Sequence, residues 1–144
     1  MQPPPVVALI NSSPDVVDMV RITMEHAGIV LVSAMTHEIR DGEVDIEAFV
    51  RQHNPKVILY DIAPPYDANW LLFQHICSMP ALRGRHFIVT TTNERHVQGL
   101  AGTNQPLFEI VGKPYDLQRL SDAVVEAVSS LDHPPGARPR PPST

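Results

Sequence analysis

"KVILYDIAPPYD", residues 56–67, is the stretch on which the fold turns. Val57, Ile58, Leu59 and Tyr60 form an unbroken apolar run, which suits a strand covered on both faces better than one with a face in water. Asp61 ends the run, and Pro64 and Pro65 follow. A prolyl ring fixes φ and restricts the residue before it, so the chain leaves the strand in a set direction. A carboxylate is thereby held at the rim of a buried sheet. Taken alone, Asp61 can also serve as a cap for the following loop.

Working outward, four more runs of the same kind occur: "VVALI" (6–10), "IVLVS" (29–33), "HFIVTT" (86–91) and "LFEIVG" (107–112). Helical spacing fills the gaps between them. Residues 14–27 place Val16, Val20, Met24 and Ala27 on one face, and Gly28 can cap the C-terminus. Residues 44–53 bring Ile46, Phe49 and Val50 together, and 68–79 are apolar nearly all round. Residues 94–101 form the weakest helix, interrupted by Gly99 and Gly102. The last helix, with Asp116 as N-cap, aligns Leu117, Leu120, Val124, Ala127, Val128 and Leu131. Five βα units predict a doubly wound α/β domain of flavodoxin-like (βα)5 type, a parallel sheet in the order 2-1-3-4-5.

In such sheets, function gathers beyond the carboxyl ends of the strands, near the switch point between strands 1 and 3. Those ends carry Asn11 and Ser12, Asp61, Thr91 and Lys113. A carboxylate, a hydroxyl and an ammonium facing one crevice can bind or accept a phosphoryl group and hold its oxygens. The junction "NSSPD" (11–15) also reads as a helix start: a serine cap, proline in the first turn and Asp15 at the positive end of the dipole.

Composition narrows the field. The 144 residues are 43% hydrophobic and 19% charged, which fits one folded domain. A net charge of -5, with Lys56 and Lys113 the only lysines, argues against a nucleic-acid partner. Cys77 is the single cysteine, so no internal disulfide forms and a reducing cytoplasm is expected. No run approaches the ~18 apolar residues of a membrane span, and "MQPPPVV" lacks the features of a signal peptide. Of fifteen prolines, three lie at 3–5 and five in "DHPPGARPRPPST" (132–144), a flexible tail in which Pro139 and Pro142 make a PxxP spacing. No zinc spacing, GxSxG elbow, GxGxxG or P-loop motif is present. Trp70 and Phe73 can stack a ligand or fill the core.

With these residues in place, the sequence resembles the receiver domains of bacterial two-component response regulators, the CheY-like superfamily, over residues 5–131. Residues 1–4 are then an extension and 132–144 the tail. "KVILYDIAPP" resembles the family's phosphoacceptor strand, with proline four positions after the aspartate, and "VGKPYD" its Lys-Pro-aromatic motif. Thirty residues separate Asp61 from Thr91 and twenty-two separate Thr91 from Lys113, as in single-domain chemotaxis receivers. The resemblance implies that Asp61 is the phosphoacceptor, Thr91 the switching hydroxyl and Lys113 the cation that contacts the phosphoryl group. It also implies a cis Lys113–Pro114 bond and Mg²⁺ held by Asp61, the carbonyl of Ala63 and an acidic pair after the first strand. The implied partners are a histidine kinase or phosphotransfer protein, a downstream protein and, in some uses, a second copy as a homodimer.

Two departures qualify that picture. Asn11 and Ser12 stand where the acidic pair would, offering oxygens without charge to a hard ion that prefers carboxylates. At ~4 Å and an effective dielectric near 20, each unit charge pair interacts by about 4 kcal/mol. A net loss of about 3 kcal/mol is roughly two decades in affinity, so weak Mg²⁺ binding is expected. Ile110 replaces the aromatic residue that accompanies the switching threonine, with Phe108 at the same strand parity. The expectation is a stand-alone, cytoplasmic, receiver-like signalling protein, not an enzyme beyond self-catalysed phosphoryl transfer to Asp61. The alternatives are a degenerate receiver acting as a docking or dimerising module, and an FMN-binding flavodoxin-like protein.

Overall fold

The computed structural model describes residues 3–102, 107–112 and 117–132. Its five strands are β1 (Val6–Asn11), β2 (Val30–Met35), β3 (Val57–Ile62), β4 (His86–Thr91) and β5 (Leu107–Gly112). They pair in parallel in the order β2-β1-β3-β4-β5, the expected topology. The helices are α1 (Pro14–His26), α2 (Thr36–Arg40), α3 (Ile46–His53), α4 (Tyr66–Cys77), α5 (Glu94–Ala101) and α6 (Leu117–Asp132), with a 3-10 turn at Pro80–Leu82. None of these helices is long and apolar enough to cross a membrane.

Alternation along the strands divides the core in two. Val7, Leu9, Val57, Leu59 and Ile88 pack with α1 and α6. Ala8, Ile10, Ile58, Tyr60, Ile62, Phe87 and Val89 pack with α3, α4 and α5. Every residue of β3 is buried, as its unbroken apolar run requires of a central strand. Trp70 and Phe73 are core residues: both are buried, their rings in contact with each other, and Phe73 also meets Tyr60 and Phe87.

Three local expectations change. The second strand begins at Val30 and runs to Met35; it is the sheet edge, and Val30 is 42% exposed. Ala27 is the exposed C-cap of α1, and Val17 takes its buried place beside Val20 and Met24. Gly28 follows at φ +77°, the left-handed position that favours glycine, its N–H donating to Glu25 O. The short helix α2, which the apolar pattern did not predict, starts where a Glu38 carboxylate oxygen accepts the Met35 N–H at 3.0 Å. Asp116 and the tail lie outside the described residues.

Candidate functional site

Strand parity builds the site. On β1 and β3 the odd-numbered residues face α1 and α6, so Asn11 and Asp61 continue that face at the carboxyl end of adjacent strands. On β4 the face belongs to Ile88 and therefore to Thr90. The β3–β4 register pairs Asp61 with Thr90 and Ile62 with Thr91.

Asp61 is 4% exposed, and a carboxylate so placed needs hydrogen-bond donors. One is the Thr90 hydroxyl, which donates to Asp61 Oδ1 at 2.8 Å. Thr91, expected at this position, lies one residue out of phase. Its Oγ1 donates to the carbonyl of Ile62 at 2.8 Å and accepts the N–H of Asn93 at 3.3 Å, which fastens the start of α5. The count of thirty residues selected Thr91, whereas pairing across the sheet selects Thr90. Lys113 and the Lys113–Pro114 bond lie outside the described residues, as do the side chains of Phe108 and Ile110. The cis bond found among the described residues is Pro64–Pro65.

Asn11 is 1% exposed. Its Oδ1 accepts the N–H of Ser13 at 2.9 Å, and Ser13 Oγ in turn caps α1 by accepting the N–H of Val16 at 3.4 Å. This leaves Asn11 Nδ2, a donor only, buried without a hydrogen-bond partner among the described residues. The buried Thr36 Oγ1 is in the same condition. Ser12 is exposed. The carbonyl of Ala63 accepts the side-chain amide of Asn69 at 2.7 Å.

A magnesium ion does not fit this donor set. Asp61 is the one carboxylate among the cavity's lining residues, where a hard divalent ion prefers several; the Asn11 oxygen accepts a backbone N–H, Ser12 is neutral, and the Ala63 carbonyl already accepts one hydrogen bond. Among the described residues no group of three or more acidic, histidine or cysteine side chains is arranged to hold a metal ion.

A cavity of about 170 Å³ opens beside Asp61, lined among others by Ser12, Thr36, His37, Arg40 and Asn69. Arg40 and His37 come from α2, so the element that the apolar pattern did not predict supplies the cavity's guanidinium and an imidazole. Nearby, two contacts join the start of α4 to the β4–α5 loop and to α5. Tyr66 Oη lies 2.6 Å from Thr92 Oγ1, and His96 Nε2 lies 2.7 Å from Asp67 Oδ1, with the Tyr66 and His96 rings 5.6 Å apart. Below the site, burial pushes the Tyr60 phenol above its ordinary range, with Cys77 and Asp61 adding to the effect.

No protein-family model matches the chain, and no curated protein matches its sequence. Solved structures do match its shape. A sensor protein from Polaromonas sp. JS666 superposes with a TM-score of 0.68 at 17% identity, over 87% of this chain and 96% of that one. A signal receiver domain of a two-component histidine kinase from Clostridium thermocellum gives 0.68 at 17%, over 88% and 98%. The chemotaxis response regulator CheY4 of Vibrio cholerae gives 0.66 at 16%, over 85% and 98%. The fold of this chain is that of the response-regulator receiver domain.

Proposed function

We propose that the chain is a receiver-like module of two-component signalling in which Asp61 accepts a phosphoryl group from a phosphohistidine of a histidine kinase or phosphotransfer protein. The observation that carries this reading is Asp61 itself, a buried carboxylate at the carboxyl end of the central strand, held by Thr90 and opening on a cavity. Phosphoryl oxygens are stronger acceptors than a neutral carbonyl and compete for the Thr90 hydroxyl. Thr90 precedes Thr92, whose contact with Tyr66 ties the β4–α5 loop to α4, so a change at Asp61 has a short path to a surface a partner reads. By resemblance, Lys113 contacts the phosphoryl group.

The test is incubation with phosphoramidate or a phosphorylated histidine kinase, followed by intact-mass measurement. One phosphoryl adduct on the wild type and none on Asp61→Asn is the expected result. No adduct from either donor on folded protein contradicts it. A second reading, a phosphorylation-independent docking module, is favoured by Asn11, Ser12 and the engaged Ala63 carbonyl. Its signature is a partner that binds Asp61→Asn as tightly as wild type.

A further inference from the structure

We propose that the crevice around Asp61 is built to receive an anion without a divalent metal, with Arg40 and the donors Asn11 Nδ2 and Thr36 Oγ1 supplying the compensation a metal would otherwise give. This rests on the reading of Asp61 as acceptor and specifies how its charge is balanced.

Three observations converge. Three polar atoms are buried and unpartnered among the described residues; Tyr60 Oη lies in the core on the α4 side, and the other two can both donate: Asn11 Nδ2 is a donor only, and the Thr36 hydroxyl can turn its proton. A buried donor without an acceptor is costly, so an oxyanion that reaches these atoms recovers that cost, while Arg40 offsets its repulsion by the Asp61 carboxylate. Asn11 ends β1 and Asp61 stands one residue before the end of the adjacent β3, on one face of the sheet, and Thr36 lines the cavity that Asp61 lines. The same cavity has Arg40 in its wall, with His37 as a further N–H donor. Arg40 also meets Asp41 at 3.5 Å, but both side chains are more than half exposed, and a pair of that kind restrains neither strongly. Apart from the Asp61 carboxylate, the oxygens that would attract a metal, those of Asn11 and Ala63, already accept N–H groups from Ser13 and Asn69.

In the transfer, an Asp61 carboxylate oxygen bonds to phosphorus as the donor's P–N bond breaks. The electron pair leaves on nitrogen, which takes up a proton. The product carries more negative charge than the carboxylate did, and a guanidinium is the side chain best shaped to meet phosphoryl oxygens.

Beryllofluoride, a non-covalent stand-in for the phosphoryl group, provides the measurement. Its binding is followed by ¹⁹F NMR in excess EDTA and again in millimolar Mg²⁺, for wild type, Arg40→Gln and Ser12→Asp. The inference predicts comparable binding by wild type in the two buffers. It predicts about ten- to a hundredfold weaker binding for Arg40→Gln, the scale of one lost hydrogen bond to a charged group. Ser12→Asp, at an exposed position, is expected to bind weakly in EDTA and to recover with Mg²⁺. Wild-type binding only with Mg²⁺, or Arg40→Gln equal to wild type in EDTA, overturns the inference while leaving Asp61 as acceptor. No binding in either buffer, together with no phosphoryl adduct, overturns the acceptor reading and the inference with it.

Discussion

Thr90 and Thr91 are adjacent, both buried and both hydrogen-bonded through Oγ1, yet only Thr90 touches Asp61. Their roles separate by substitution. Thr90→Val keeps the shape and removes the donor to a buried charge, so it lowers unfolding stability by about 2 kcal/mol and weakens beryllofluoride binding. Thr91→Val instead releases the Ile62 carbonyl and the Asn93 N–H, so it destabilises the fold while leaving anion affinity within a few-fold. Denaturant titration and ¹⁹F NMR on the two variants distinguish them. Equal loss of affinity in both contradicts the assignment. Cys77 makes a second prediction. Burial pushes its thiol from the ordinary 9.0 up to about 12, so at neutral pH it is a poor nucleophile. Above pH 9 the unfolded chain releases this proton and the folded chain keeps it, so stability falls as pH rises toward 12. Cys77→Ala should flatten that alkaline slope, measured by denaturant titration at several pH values; an unchanged slope contradicts the cause.

At the scale of elements, the start of α4 is joined to the β4–α5 loop and to α5 by side chains. His96→Ala removes the partner of Asp67, and Tyr66→Phe the partner of Thr92. Because α5 is two turns long, contains Gly99 and buries only Val97 and Ala101, it depends on these contacts. The double variant should show faster amide exchange in α5 with β3 unchanged, and equal protection in α5 contradicts that dependence. The strands and the longer helices were legible in the sequence because burial on both faces and helical periodicity leave strong patterns. The short α2 was not: five residues make little more than one turn, too few for a period, and its cap is a Glu38 side chain reaching back to Met35. Nor was the choice between Thr90 and Thr91, which depends on register across two strands and not on separation along one chain.

For the molecule as a whole, Tyr60, Phe73, Phe87 and Trp70 form a continuous aromatic cluster under the sheet's α4 side. Phe73 is central to it and fully buried, so Phe73→Ala costs about 3–5 kcal/mol, measured by denaturant titration; a loss below about 1 kcal/mol would mean that the site collapses to fill the space. The candidate site was legible in part. Asp61 followed from the end of an apolar run, and the missing acidic pair followed from "NSS" after the first strand. What replaces the acids was not legible. The Asn11–Ser13 bond, the Asn69 amide on Ala63 and the Arg40 wall join segments whose approach depends on the folded loops. Borohydride trapping reads chemically whether Asp61 is the acceptor. Reduction of an aspartyl phosphate leaves homoserine, so after treatment with phosphoramidate and borohydride, peptide sequencing by mass spectrometry should find homoserine at position 61. Unmodified aspartate at 61, or homoserine at another position, would contradict the account.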